Sequence, residues 1–130
     1  MKRVLLTLSM FLWLMAGAAA AAAQAEPLFD PYKAEKNIEV GLFYFKKKNY
    51  DAAIERFKDA IRYKPNFARP HRLLGQCYEK KKEKQEAVGW YQKYLEILPA
   101  ADDAEAIRKR IEKLNREIQQ DAARRKRRSG

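Results

Sequence analysis

Residues 41–65, GLFYFKKKNYDAAIERFKDAIRYKP, return 34 positions later as residues 75–99, GQCYEKKKEKQEAVGWYQKYLEILP. At that shift Ala34 meets Ala68, Gly41 meets Gly75, Tyr44 meets Tyr78, and the lysine triplet 46–48 meets 80–82. Further on, Ala53 meets Ala87, Phe57 meets Tyr91, Ile61 meets Leu95 and Pro65 meets Pro99. A fixed period of this length marks stacked repeats, because one short unit cannot bury its own apolar face and must lean on its neighbour. Gly41 and Gly75 lie in apolar helical stretches, where glycine costs about 1 kcal/mol against alanine. Its recurrence at one place predicts another helix passing close by. Ala53 and Ala87 serve the same purpose on the facing helix, and Tyr44, Phe57, Tyr78 and Tyr91 fill the space between them.

The glycine, the tyrosine three residues on, the later alanine, the aromatic four beyond it and the closing proline together resemble the tetratricopeptide repeat (TPR) family. The resemblance covers residues 34–99. It implies an all-α fold: two antiparallel helix-turn-helix TPR repeats, residues 34–67 and 68–101, in a right-handed solenoid fragment. Asn37 and His71 stand where that family commonly has a large aromatic. The run AEKNIEVGLFYFKKKNYDAAIERFKDAI is also similar to repeats in the TPR lipoprotein of the outer-membrane β-barrel assembly machinery.

Local signals divide the repeats into helices. Asp30 followed by Pro31 has the form of a helix start, and the first helix is expected to run to about Lys47. Asn49 marks a turn, a second helix follows from about Tyr50 to Tyr63, and Pro65 ends the unit because proline cannot continue a helix interior. Asn66 is expected to cap a third helix ending near Lys81, with a fourth over about 83–98. Asp102 is the expected cap of a fifth, with Asp103 and Glu105 favourably placed in its first turn. In it Ile107, Ile111, Leu114 and Ile118 form one apolar stripe on a charged helix, which predicts a capping helix over residues 102–121. Two units and a cap fall short of the roughly three stacked units such arrays normally need, so a homo-oligomer is a further expectation.

The chain does not begin as a domain. Lys2 and Arg3 precede an uncharged apolar run, small residues follow, and Ala23-Gln24-Ala25 gives an A-x-A pattern. This is the layout of a signal peptide over residues 1–25, with residues 26–33 as a lead-in. The competing reading is an uncleaved anchor, since residues 4–23 are about long enough to cross a bilayer. With cleavage the protein is expected outside the cytoplasm, periplasmic or secreted. Cys77 is the only cysteine. It leaves no acylation point beside the cut and no internal disulfide, and it reads as a small buried residue.

The chemistry of an enzyme is not legible. The single histidine, His71, and Cys77 are six residues apart on one helix and project in different directions. No metal cluster, phosphate-cradling loop or serine nucleophile motif accompanies them. No catalytic residue, metal or cofactor is expected.

The resemblance implies that the first helix of each pair lines a concave groove for a protein or peptide. On the first helix, Val40, Gly41 and Tyr44 are assigned to repeat packing, leaving Ile38, Leu42 and Phe45 as a second apolar stripe facing a partner. Its alternative reading is a stripe covered by Leu28 and Phe29 or by a neighbouring helix. The same register gives Arg72, Gln76 and Glu79, with Arg69 one turn earlier, and then Ala106, Arg110 and Lys113. The groove is thus expected to grade from apolar to basic and to suit a partner with an acidic segment. Ile38 and Leu42 replace the polar residues of a carboxylate clamp.

The formal net charge is +11. Five of the cations, Arg124, Arg125, Lys126, Arg127 and Arg128, form a basic tail over residues 122–130, expected to be disordered and solvated. The alternative function is adsorption on an anionic membrane surface or polyanion through that tail. A nucleic-acid partner is not expected of an exported protein. The leading expectation is a non-enzymatic exported adaptor or scaffold in cell-envelope assembly.

Overall fold

The computed structural model describes residues 29–130. The expected signal segment and residues 26–28 of the lead-in lie outside the described residues. Five helices follow one another: α1 (Pro31–Lys46), α2 (Tyr50–Tyr63), α3 (Ala68–Lys80), α4 (Lys84–Ile97) and α5 (Ala104–Ser129), with no strand among the described residues. α1 pairs with α2 and α3 with α4; α2 packs on α3, and α5 lies against α4. The protein is an all-α stack of two helix hairpins and a closing helix, a TPR-like solenoid fragment.

Local chemistry sets most of the helix ends. Asp30 caps α1, its Oδ1 accepting the Lys33 N–H at 3.0 Å, with Pro31 in the first turn. Asn49 caps α2 by accepting the Ala52 N–H at 3.2 Å. Both hairpin turns close alike. The N–H of Asn49 donates to the Tyr44 carbonyl at 3.0 Å and that of Lys48 to Phe45 at 2.9 Å. Glu83 and Lys82 repeat this with Tyr78 and Glu79, each at 2.9 Å. These are Schellman ends, which need a left-handed residue. Lysine supplies it both times, with φ of 59° at Lys48 and 61° at Lys82.

Two expected caps are corrected. α3 starts after Phe67, not Asn66, without a side-chain cap, and α5 starts after Asp103, not Asp102. The Asp103 carboxylate is drawn away from its own helix by Arg72 and Tyr94. The tail is corrected too: residues 122–129 continue α5 as helix. Cations at a helix C-terminus are favoured by the helix dipole, and Lys84 ties down the turn before them through Asp121 at 2.7 Å and Glu117 at 3.3 Å.

One core runs through the stack, with Ile38, Phe57, Leu74, Cys77 and Tyr91 at its centre. The two glycines make the close approaches expected of them: a methyl carbon on Gly41 would lie 2.4 Å from Phe57 Cε1, and one on Gly75 2.5 Å from Tyr91 Cδ1. Shifting once more by 34 residues explains α5. At the places of Pro70, Leu73 and Cys77 it carries Ala104, Ile107 and Ile111, all buried or packed against the core. Where Gly41 and Gly75 stood it carries Lys109, which points into solvent. α5 therefore takes the place of the first helix of a third unit. The same places in α1 are Lys36, Glu39 and Phe43, all exposed because no described helix packs on that side.

Candidate protein-binding groove

The first helices of the units, α1, α3 and α5, bring part of the expected site together. Phe45 from α1, Gln76, Glu79 and Lys80 from α3, and Arg110 from α5 surround an open hollow of about 420 Å³. Phe45 forms its apolar wall, held edge-on against Tyr50 with ring centroids 5.4 Å apart. Arg69 and Arg72 fall elsewhere, in a second hollow of about 550 Å³ at the N-terminal end of α3, with Tyr94, Leu98, Asp102 and Asp103. Leu42 is half-buried against the core, and Lys113 is exposed on α5 beside neither hollow.

Ile38 is corrected outright. At 1% exposure it is core, not groove. A first helix in this stack buries a broader arc than one packing stripe, and Ala34, Ile38 and Gly41 share it, while Val40 and Tyr44 stay partly exposed.

The basic character of the groove is corrected as well. Each expected cation already has a carboxylate within the chain. Arg69 approaches Glu35 at 3.7 Å, Arg72 holds Asp103 at 2.6 Å, Arg110 Nε meets both Glu79 oxygens at 2.9 Å, and Lys113 lies 4.0 Å from Glu117. Two of these pairs are enlarged by tyrosines of α4. The Tyr91 hydroxyl donates to Glu79 and the Tyr94 hydroxyl to Asp103, each at 2.5 Å. Two carboxylate, tyrosine and arginine knots thus pin α3, α4 and α5 together. The roles of Glu79 and Asp103 were missed in the sequence; a lone carboxylate in a basic stripe was the available signal.

Burial and pairing shift several groups. Burial and the Glu79 hydrogen bond push the Tyr91 phenol up. Burial raises the Cys77 thiol to about 12, so it stays an inert core residue. The Tyr94 hydrogen bond and Arg72 hold Asp103 below the usual carboxylate value of 3.8. Burial lowers His71 from 6.5, although its Nδ1–H donates to the Phe67 carbonyl at 2.8 Å. Both native values lie below the unfolded ones, so the unfolded chain binds more protons on acidification and stability falls with pH. Loss is expected to begin below about pH 6.5 through His71 and to steepen below pH 3.8 through Asp103. Urea midpoints across that range check it. His71→Gln should remove the first phase alone, and a wild-type midpoint that stays level from pH 7 to 5 would contradict the assignment.

Among the described residues no group of side chains is placed to hold a metal ion, and no helix is long and apolar enough to cross a membrane. Comparison with known proteins places the chain. A family model described as regulator of microtubule dynamics protein 1-3 matches residues 33–119, from α1 into the outer half of α5. The chain belongs to that family. Members of the regulator of microtubule dynamics family thus include this stack of two hairpins and its cap. A further relative is Hsp70-Hsp90 organizing protein 3 of Arabidopsis thaliana, 30% identical over 77 residues, which are 59% of this chain and 14% of that protein. The chain spans a small part of that relative's length. Both matches agree with a TPR-like helical repeat.

Proposed function

We propose that this member of the family is a non-enzymatic adaptor that binds an extended segment of another protein across α1, α3 and α5. The observation that carries the reading is the hollow bounded by Phe45, Gln76 and Arg110, where three successive first helices contribute side chains to one open surface. An apolar ligand side chain would seat against Phe45, and polar ligand atoms would meet the Gln76 amide. Arg110 is committed to Glu79, so an acidic ligand residue finds its cation in Lys80, which is exposed at the rim and has no ion-pair partner among the described residues. Such an arrangement selects a short apolar group with a neighbouring carboxylate.

The setting proposed is outside the cytoplasm, in cell-envelope assembly, on the strength of the signal-like layout ending at Ala25. A photo-crosslinking amino acid at Gln76, compared with one at exposed Glu96 on α4, tests both parts in the native cell. The expected result is a discrete crosslinked partner from position 76 only, lost in Phe45→Glu, with the adaptor's N-terminus beginning at Glu26. Equal crosslinking from both positions would remove the groove reading, and an intact Met1 on the crosslinked species would remove export by cleavage.

A further inference from the structure

The two lysine triplets and the basic arm are far apart in sequence, yet the fold gathers them at one end of the stack. Lys81 in the second hairpin turn reaches back to Asp51 beside the first at 2.5 Å. Lys84, just past the second turn, holds Asp121 of α5 at 2.7 Å. Lys82 and Arg125 line the same hollow. From there α5 runs on, and residues 122–129 are all exposed helix. Lys46, Lys48, Lys80 and Lys82 are exposed and have no ion-pair partner among the described residues; residues 124–128 are exposed too, with Arg124 and Arg125 near enough to act on the Asp121 carboxylate.

Three further observations bear on what this end meets. Its cations come from three elements, the two hairpin turns and α5, and eight helical residues extend the arm by about 12 Å. That is a broad array, not a cleft shaped to one anion. Phe43 is 57% exposed beside it, with the Lys47 ammonium 5.8 Å from its ring centroid. An exposed aromatic flanked by lysines is the pairing that seats a protein in a headgroup layer. Lastly, Lys48 and Lys82 occupy left-handed positions that glycine or asparagine takes with less strain. The chain keeps a cation at each turn at the expense of backbone comfort.

The geometry points to this end of the stack as a docking surface for an anionic phospholipid bilayer, with Phe43 entering the interface and the two turns and the arm lying over the headgroups. It adjoins the hollow at Phe45 and shares Lys80 with it, while its other cations, at the two turns and on the arm, lie outside that hollow. Each cation near such a surface is worth roughly fivefold in partition, and the attraction weakens as salt shortens the screening length.

The test is co-sedimentation of the full chain with phosphatidylcholine vesicles, with and without phosphatidylglycerol. The readout is the ratio of the two partitions, because the apolar N-terminal segment contributes to both vesicle types. A ratio well above one that falls with salt is expected. Lys46→Gln should lower it, as should neutralising residues 124–128, and Phe43→Ser should weaken partition onto anionic vesicles. Lys48→Gly combined with Lys82→Gly gives the sharpest signature: the melting temperature rises while the ratio falls, a combination that a purely structural role for these lysines does not produce. A ratio near one, a ratio indifferent to all these variants, or capture by soluble polyglutamate without any preference for phosphatidylglycerol would each overturn the proposal.

Discussion

Cutting Ile38 back to alanine is expected to destabilise the protein by about 2–5 kcal/mol, the range for emptying a packed aliphatic site. Ile38 is fully buried in the one core that runs through both hairpins, so the lost contacts on α1 weaken the seat on which α2 rests. Leu42, one turn further along and only partly buried against the core, should lose less as serine, roughly 1–2 kcal/mol, since some of its surface already meets solvent. Urea unfolding of the two variants side by side measures the difference. An Ile38→Ala variant within about 0.5 kcal/mol of the parent would behave as a surface change and would return Ile38 to the groove.

Gly41→Ala and Gly75→Ala should each destabilise, although alanine is the better helix former. The propensity gain is about 1 kcal/mol. Against it, the added carbon would sit 2.4 Å from the Phe57 ring or 2.5 Å from the Tyr91 ring. Both rings are wholly enclosed, and forcing a packed core apart typically costs about 1–3 kcal/mol. The clash exceeds the gain at the upper end of that range, because neither ring has an open side to move into. Gly89 supplies the internal control. Nothing lies within 4 Å of its absent side chain, so Gly89→Ala should stabilise by about 0.5–1 kcal/mol. Thermal melts of the three variants should therefore show two falls and one rise. In the Gly41→Ala background, Phe57→Leu should recover part of the loss; if it only adds to it, the ring is not the obstacle.

The features legible in the sequence are those fixed by neighbours along the chain or by the 34-residue spacing. Asp30 and Asn49 cap their helices as read, because a cap uses residues three apart. The glycine and aromatic pairs emerge from the repeat, because each unit solves the same packing problem. Asn66 and Asp102 fail as caps for a different reason. The acceptor that counts in α5 is Asp103, and its partners are Arg72 and Tyr94 on other helices. The groove's charge was misjudged in the same way. Repeat spacing aligns Gln76 with Arg110, whereas the bond formed is Glu79 with Arg110, one turn off that alignment. Ile38 was misplaced because dividing α1 into two stripes assumes a narrow contact, and a first helix in the stack has a wide one. The tail was misread because a run of cations looks disordered in isolation; the anchoring of Asp121 and Glu117 by Lys84 is invisible without the fold.

Lys109 has a consequence for how this architecture can be lengthened. It occupies the place where the two complete units keep a glycine so that their second helix can come close. A helix appended after α5 would meet a long charged side chain instead of a notch, and could not nest. The array therefore carries its own terminator, and new modules have to be spliced in upstream of it. A tandem copy of residues 68–101, placed ahead of α5, would give each added pair its notch and leave the same stop at the end of a longer ruler.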